Sequence, residues 1–264
     1  MTRPTTLLLT EADGVATVTL NRPDRLNALN STVLTELRDT VSALEARPSE
    51  QRPRALLLTG AGERAFAAGA DIAELASLDP NAAKRVSELG HALGHALDRA
   101  SFPSIAAVNG FALGGGLELA LCCDMILCSD RARFGQPEIN LGVIPGFGGT
   151  FRLMARVGVG QARRLIFTGE PIDAARAERI GLVDAVYPQA ELLTRALELG
   201  KTLAGKAPLA LSCAKRCLLE NLYREFGGAA ANEAQGFADL FGTSDAREGL
   251  AAFLEKRAAC FSGR

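Results

Sequence analysis

The chain has 264 residues, of which 48% are hydrophobic and 22% charged, and its formal net charge is −1. This length fits one large domain, or one domain with a small appendage, and a core of this size needs no disulfides or structural metals. The near-neutral charge lacks the basic footprint of a nucleic-acid-binding protein, and no apolar run approaches the roughly 18 residues of a membrane span.

The cysteines and histidines give no sign of a disulfide framework or a metal site. Residues 1–10 lack the basic start and long apolar stretch of a signal peptide, so the sequence predicts a cytoplasmic protein. The six cysteines are then expected as free thiols, because disulfides are rare in that compartment. His91 and His95, the only histidines, lack the glutamate of a zincin motif and a CxxC pair nearby, so no metal is predicted.

The first half of the chain alternates strand and helix signals. Asp13-Gly14 between two β-rich runs predicts a hairpin over residues 6–20. Asn30 or Ser31 can cap a helix whose apolar residues recur at helical spacing. The next elements are predicted, in order, as a strand over 54–59 and helices over 71–78 and about 81–99.

The second half begins in the same way and then becomes helical. In chain order the sequence predicts a strand over 104–109, a helix over 115–123, a strand over 125–129, a helix over 148–167 broken near Gly158 and Gly160, a helix over 171–180 and a short strand over 183–187. From about residue 190 the pattern is almost wholly helical. The sequence therefore predicts an α/β core over 1–199 and a helical region over 200–264.

Two glutamates set inside glycine-rich runs are the strongest chemical signal. Glu118 lies in the run NGFALGGGLELA, and Glu138 lies in the run FGQPEINLGVIPGFGG. A strand, a glycine cluster and then a helix leave backbone N–H groups exposed at the helix start, where they can stabilise negative charge. Either glutamate alone fits an ordinary helix start or a solvated loop. Together in an apolar pocket, two such acids would have separated pKa values, which suits acid–base chemistry on one water.

A second glycine-containing loop, Ala67–Asp71, directly precedes a predicted helix. It is either a turn packed against a neighbouring strand or a backbone donor that approaches a ligand closely. Two N–H donors from separate loops can stabilise an oxyanion. The presence of the cluster Gly114–Gly116 therefore favours the interpretation of this loop as a backbone donor.

Other functions fit the sequence less well. The run Gly60–Ala65 matches a dinucleotide fingerprint, but the segment after it interrupts the helix that should follow. Paired acids also occur in glycosidases, but a sugar platform is hard to build without Trp and with two Tyr. An RNA-binding protein is a remote alternative, because aromatic residues make up only 5% of the chain and the net charge is near zero.

These motifs resemble the crotonase, or enoyl-CoA hydratase/isomerase, superfamily, and the resemblance covers nearly the whole chain. It implies an α/β fold, the crotonase-type spiral of β-β-α turns with a C-terminal helical trimerisation region. It also implies Glu118 and Glu138 as catalytic acids. The backbone N–H groups of Ala70 and Gly115 would form the oxyanion hole, and Gly146 would help to orient water.

The resemblance further implies contacts to CoA. Phe253 and Lys256, in the final helix, would touch the CoA of an adjacent subunit. Ala73 stands where many members carry a lysine, and Phe151 stands where glutamine is usual. The implied CoA and substrate contacts come from Arg25, Leu26, Ala28, Arg64, Ala68, Ala70, Asp71, Ile72, Phe253 and Lys256.

Both acids of the hydratases are present, whereas isomerases typically keep only the one that matches Glu138. The resemblance therefore implies an enoyl-CoA hydratase, a lyase of fatty-acid β-oxidation that adds water to trans-2-enoyl-CoA and gives 3-hydroxyacyl-CoA. It implies no cofactor beyond the CoA of the substrate. An enoyl-CoA isomerase, or a hydratase of a branched or aromatic enoyl-CoA, is the alternative.

The implied partners are an acyl-CoA thioester and further copies of the chain, as a trimer or a dimer of trimers, with no nucleic acid or membrane. The helical region carries more apolar surface than a small appendage can bury by itself. The residues concerned are Leu218, Leu219, Leu222, Phe226, Phe237, Leu240 and Phe241.

Overall fold

The computed structural model describes residues 5–223 and 229–259, without the side chains of residues 220–223 and 229–233. In this part of the chain ten strands form two sheets. The strands are β1 (Leu7–Ala12), β2 (Val15–Leu20), β3 (Ala55–Gly60), β4 (Ala65–Ala67), β5 (Ser104–Val108), β6 (Phe111–Leu113), β7 (Met125–Ser129), β8 (Arg133–Gly135), β9 (Ile172–Asp173) and β10 (Ala185–Tyr187).

The same part of the chain contains ten α-helices and three 3₁₀ turns. The helices are α1 (Ser31–Glu45), α2 (Ile72–Leu75), α3 (Pro80–Arg99), α4 (Gly115–Leu121), α5 (Gly149–Thr168), α6 (Ala174–Arg179), α7 (Leu192–Ala204), α8 (Pro208–Tyr223), α9 (Ala229–Leu240) and α10 (Ser244–Glu255). The 3₁₀ turns are Pro23–Arg25, Ser49–Gln51 and Pro137–Leu141.

From β3 to β8 the strands enter the two sheets alternately. The larger sheet has the order β1-β2-β3-β5-β7-β10, and the smaller has the order β4-β6-β8-β9. Within the larger sheet only β1 and β2 pair antiparallel. The successive pairs β3 and β4, β5 and β6, and β7 and β8 each place one strand in each sheet before helical structure follows. The chain thus winds through successive β-β-α turns.

Local signals in the sequence place several elements correctly. Asp13 and Gly14 adopt φ values of 53° and 77°, as the tight turn between β1 and β2 requires. The Asn30 side chain accepts a hydrogen bond from the Val33 N–H at 2.9 Å and caps α1. Gly158, with φ 76° and ψ 160°, breaks α5 as predicted.

The smaller sheet is absent from the sequence predictions. Its strands β4, β6 and β8 have three residues each, too few for an alternating pattern to appear. The helix predicted over 171–180 is also shorter. It begins at Ala174, because the Asp173 side chain accepts the Arg176 N–H at 2.8 Å and so caps α6, while residues 172–173 form β9.

The first helix of the C-terminal region belongs to the core. Leu192 and Ala196 of α7 are buried against Val15, Ile105 and other residues of the larger sheet. The predicted boundary between residues 199 and 200 falls inside α7. The division into two domains stays a prediction.

The next helices also bury apolar residues within the chain. Phe237 of α9, Phe241 directly after it and Leu250 of α10 pack with Leu75 and Val143 in one cluster. This corrects the argument for assembly at Phe237 and Phe241, because α9 packs on α3 of the same chain. Leu218 remains 73% exposed. Phe226 and the side chain of Leu222 lie outside the described residues.

The described ranges also bear on cysteine pairing, metal binding and membrane crossing. The five cysteines there form no disulfide, and burial raises the pKa of the Cys128 thiol to about 12. No group of three or more His, Cys, Asp or Glu side chains in these ranges is arranged to hold a metal ion. Among the described helices, none combines the length and the hydropathy that crossing a membrane would take.

Candidate active site

The site lies at the carboxyl ends of β4, β6 and β8. These three strands are parallel neighbours, so their ends meet at one edge of the smaller sheet. The edge brings together residues 68–71, the cluster Gly114–Gly116 and the segment 136–138. The Gly114 N–H donates to the Gly135 carbonyl at 2.9 Å and joins the second segment to the third.

The Ala70 N–H is turned away from the backbone segment that pairs with its loop. The Leu29 N–H donates to the Gly69 carbonyl, and the Asp71 N–H donates to the Leu29 carbonyl, both at 2.8 Å. Ala70 lies between these two partners of Leu29, and in such a parallel bridge its own N–H points away from Leu29. Ala70 therefore presents a backbone donor to the cavity that it lines.

Gly115 supplies a second donor beside the first. It is the first residue of α4, and the leading N–H groups of a helix have no partner within the helix. A Cβ on Gly115 would lie 3.7 Å from the Ala70 nitrogen. A side chain on Gly116 would overlap the Ala67 carbonyl, so glycine lets α4 begin directly against β4. The two loops thus present neighbouring N–H groups to one cavity.

Glu118 is buried in the first turn of α4, with 2% of its surface exposed. Its Oε1 accepts the N–H groups of Phe147 at 2.9 Å and Gly149 at 2.8 Å, and the Gly146 N–H also donates to this carboxylate. Burial raises the pKa of Glu118, while these N–H groups and the charge of Arg152 oppose the rise. The result is a carboxylate of raised basicity whose ionised form is held in place.

Glu138 stands next to the start of α4, in the 3₁₀ turn after β8. A Cβ on Gly114 would come within 2.8 Å of Glu138 Oε1, so only glycine, here with φ 49°, fits between them. The fully buried Gln136 amide nitrogen donates to both Glu138 oxygens, at 2.8 and 3.1 Å, when the amide is oriented to face them. Sequence reasoning missed Gln136, although it stands two residues before the acid.

Both acids and both donors line one cavity of about 370 Å³. The charged residues among its described lining are Glu74, Glu118 and Glu138, with no lysine or arginine. Glu74 accepts the Ser31 N–H at 3.0 Å, at the start of α1. The rest of the lining is mainly apolar and includes Leu29, Leu34, Ile72, Leu75, Val86, Leu113, Leu141, Val143, Phe147, Phe237 and Phe253.

The predicted CoA and substrate contacts divide into two groups. Ala68, Ala70, Ile72 and Phe253 line this cavity, and Phe253 does so from α10 of the same chain. The others do not line it, and their contacts with CoA stay a prediction; they are Arg25, Leu26, Ala28, Arg64, Asp71 and Lys256. Gly146 lines the cavity, with its N–H on Glu118 and its carbonyl accepting from Ser87.

The segment from Arg22 to Leu29 supports the first donor loop. The Arg22 guanidinium donates to the Ala28 carbonyl at 2.6 Å and forms an ion pair with Asp71 at 3.0 Å. The Leu26 carbonyl accepts the Ala68 N–H at 3.0 Å. Three of the predicted contacts, Leu26, Ala28 and Asp71, therefore help to position the loop that carries Ala70. Sequence reasoning missed Arg22 in this role.

Comparison with known proteins decides the family. The family model described as enoyl-CoA hydratase/isomerase matches residues 10–264. The chain belongs to the enoyl-CoA hydratase/isomerase family. The suspected resemblance is thereby confirmed.

Individual members of the family confirm the fold and the type of activity. A crystal structure of an enoyl-CoA hydratase from Mycobacterium avium subsp. paratuberculosis matches with a TM-score of 0.88 and 30% identity, over 98% of this chain and all of that one. The short-chain-enoyl-CoA hydratase of Clostridium acetobutylicum is 42% identical over 95% of each chain. The crotonyl-CoA hydratase of Syntrophomonas wolfei is 41% identical over 97% of each. The protein is an enzyme of the enoyl-CoA hydratase type, a lyase with the α/β crotonase fold.

Proposed function

We propose that this enzyme hydrates short trans-2-enoyl-CoA thioesters to 3-hydroxyacyl-CoA, with Glu118 and Glu138 as its acid–base pair. The observation that carries the proposal is the meeting of two carboxyl groups and two backbone donors, Ala70 and Gly115, around one apolar cavity. The ends of β4, β6 and β8 supply all four groups.

The two donors act on the thioester oxygen. Their N–H groups polarise the carbonyl and withdraw electrons from the conjugated double bond, so that Cβ becomes electrophilic. As the enolate forms, negative charge develops on the same oxygen, where fixed donors in a dry site stabilise it most. A Cβ on Gly115 would lie 3.2 Å from the Phe147 ring and 3.7 Å from the Ala70 nitrogen, so glycine leaves the most room beside the two donors.

The two acids act on the water and on Cα. Glu118 takes a proton from the water while the water oxygen bonds to Cβ. The electron pair of the double bond then moves toward the thioester oxygen. Glu138 then gives a proton to Cα, and the carbonyl reforms. Three N–H donors on the ionised Glu118 favour its role as the base. We assign Gly146 the orientation of the attacking water.

The cavity favours a short, uncharged acyl chain. Its volume, about 370 Å³, lies near the lower end of the ~300–1,000 Å³ range of small-molecule sites. Leu75, Val143 and Phe237 belong to its apolar lining. Because no cation stands among the described lining residues, an acyl chain that ends in a carboxylate would be buried without a partner, which is costly. We therefore expect discrimination against dicarboxylic enoyl-CoA substrates.

The reaction uses groups of the chain, water and the substrate, so the proposal includes no further cofactor. It also includes the cytoplasm as the location, supported by the absence of disulfides among the five described cysteines. A role in fatty-acid β-oxidation is part of the same proposal, because that process forms and consumes these thioesters.

A hydration assay tests the activity and the choice of substrate. The loss of enoyl-thioester absorbance is followed for straight trans-2-enoyl-CoA esters of four to twelve carbons and for a carboxylate-ended ester. For a 3-enoyl-CoA, which is conjugated only after isomerisation, the gain of that absorbance is followed. We expect kcat/KM to be highest at the short end and to fall for the carboxylate-ended ester. A preference for the 3-enoyl-CoA would instead identify an isomerase.

The proposed assembly is a trimer or a dimer of trimers in which Lys256 reaches the CoA of a neighbour. It is supported by large apolar side chains left on the surface of the chain, among them Phe167 at 69%, Leu209 at 86% and Leu218 at 73% exposure. Light scattering at micromolar concentration tests it. A monomeric mass would contradict the assembly without affecting the hydration assay.

A further inference from the structure

The loop of residues 145–149 holds Glu118 with backbone groups alone. Gly146, Phe147 and Gly149 supply the N–H donors, and Gly148, at the start of α5, has φ 131° and no side-chain cap. A segment so rich in glycine has wide conformational freedom. The position of the Glu118 carboxylate therefore depends on whatever fixes this loop.

Helix α3 fixes it along one face. Ser87 donates to the Gly146 carbonyl, and Gly90 is the position where any side chain would collide with the Phe147 ring. A Cβ on Gly94 would lie 3.0 Å from the Arg152 guanidinium. With Asp98, these residues recur at spacings of three and four, which places them on one side of the helix.

Arg152 links the loop to this face of α3. Its backbone N–H makes the ordinary first-turn helix bond to the Gly148 carbonyl at 2.7 Å. Its side-chain Cδ would lie 2.9 Å from a Cβ on Gly148, so the stem of the side chain packs directly on the loop. Its guanidinium donates twice to Asp98, at 2.6 and 3.0 Å. The two side chains are only 7% and 14% exposed. A buried bidentate pair of this kind has a defined geometry.

We propose that the Arg152–Asp98 pair is a positioning device for Glu118, which locks the 145–149 loop onto α3 and places a positive charge near the carboxylate. The inference rests on the proposed function, because the pair acts through the proposed base. Arg152 also opposes the rise that burial causes in the pKa of Glu118. The pair therefore has a geometric effect and an electrostatic effect, and these can be separated.

The other ionisable groups around the pair belong to several elements. Burial and the charge of Arg152 lower the pKa of His91 to about 4, so His91 is neutral at the pH of an ordinary assay. The remaining groups near Arg152, Glu118 or the cavity between α4, α5 and α8 are Glu138, His95, Cys122, Cys123, Asp124, Arg156 and Lys215. Apart from Arg156 in its own control variant, these groups are common to every variant below.

The test compares the pH dependence of kcat for crotonyl-CoA in two variants of the pair. Arg152→Gln removes the charge and the link, so kcat should fall at least about 10-fold, because small misplacements of reacting groups are costly. The acid limb of its kcat–pH profile should move to higher pH by about 0.5 or more, because the guanidinium no longer stabilises the ionised form of Glu118. Asp98→Asn leaves the positive charge, so kcat should fall while the acid limb moves to lower pH or stays.

Two further variants separate positioning from stability. Arg156→Gln is the matched control, because Arg156 lies one turn later on α5 and forms a similar ion pair with Asp184 at 2.6 Å. Its kcat and acid limb should match those of the wild type. The double variant Asp98→Leu with Arg152→Met leaves neither charge buried alone, and such replacements are often neutral for stability. We expect its thermal midpoint to recover and its kcat to stay low.

Several results would overturn the proposal. The first is that Arg152→Gln folds and keeps both the wild-type kcat and the wild-type acid limb. Recovery of kcat in the stable double variant is another, because a merely structural role predicts it. If Arg152→Gln does not fold, the double variant and Asp98→Asn decide. Failure of the proposed function appears differently, as no hydration by the wild type or as an unaffected Glu118→Gln.

Discussion

Replacement of Gly115 by proline tests the oxyanion hole directly, because it removes the backbone donor and leaves every ionisable group in place. Proline is well tolerated at the first position of a helix, where its missing N–H has no partner within the helix in any case. Gly115 occupies this position in α4. The substitution therefore affects the proposed donor more than the helix.

The size of the effect follows from the number of donors. Two N–H groups, those of Ala70 and Gly115, face the proposed thioester oxygen, so the variant loses one of two. Loss of one such donor costs about 2.7–4 kcal/mol of transition-state stabilisation in comparable sites. At about 1.36 kcal/mol for each factor of ten, kcat should fall about 10²–10³-fold.

Gly115→Ala is the matched control. It adds a Cβ that lies 3.2 Å from the Phe147 ring, as proline does, but it keeps the N–H. Crotonyl-CoA hydration is measured at saturation, so that weaker binding appears in KM, and both variants are first checked by circular dichroism and oligomer size. A folded proline variant with a kcat within about tenfold of the alanine variant would refute the role of this donor.

Three further predictions concern the acids and the acyl site. Glu118→Gln and Glu138→Gln should each lower kcat by about 10²–10⁴, and the double variant should lose less than the product, because the two acids work on one water; near-normal hydration by either single variant would contradict the assignment. Because burial raises the pKa of Glu118 and the base must be ionised, kcat should fall with decreasing pH along a limb centred above 4.5, the ordinary value; a flat profile down to that pH would contradict this. Phe237→Ala should raise kcat/KM for eight- to ten-carbon esters relative to crotonyl-CoA, since it removes a ring that lines the cavity; an unchanged ratio in the carbon-chain series would place the limit elsewhere.

The fold was predictable wherever a signal is local. The turn at Asp13-Gly14, the cap at Asn30 and the break at Gly158 each depend on the conformation of one or two residues, and each was predicted. The strands β4, β6 and β8 depend instead on pairing between distant segments, and three residues carry no periodicity. The sheet that assembles the site was therefore the part that the sequence did not reveal.

The same distinction applies to the site. Glu118, Glu138 and the glycine loops stand in unusual runs, so they could be recognised. Gln136 and Arg152 look like surface residues in the sequence, and only packing shows that both are buried. Phe237 was expected to face another subunit, yet it is buried in its own chain, because amphipathic spacing identifies an apolar helix face without identifying its partner.

Different residues position the groups for thioester activation and those for proton transfer. The N–H donors are held by the β4–β6 pairing and by the segment from Arg22 to Leu29, whereas Glu118 is held by the 145–149 loop and α3. Gly115 and Glu118 share α4 and the neighbouring Phe147, but the other contacts that hold the donors and the carboxylate come from different residues. Changes at Gly115 should therefore alter the rate without moving the acid limb, and changes at Arg152 should move it. Thioester activation and proton transfer would then be separable properties of one cavity, each with its own supporting residues.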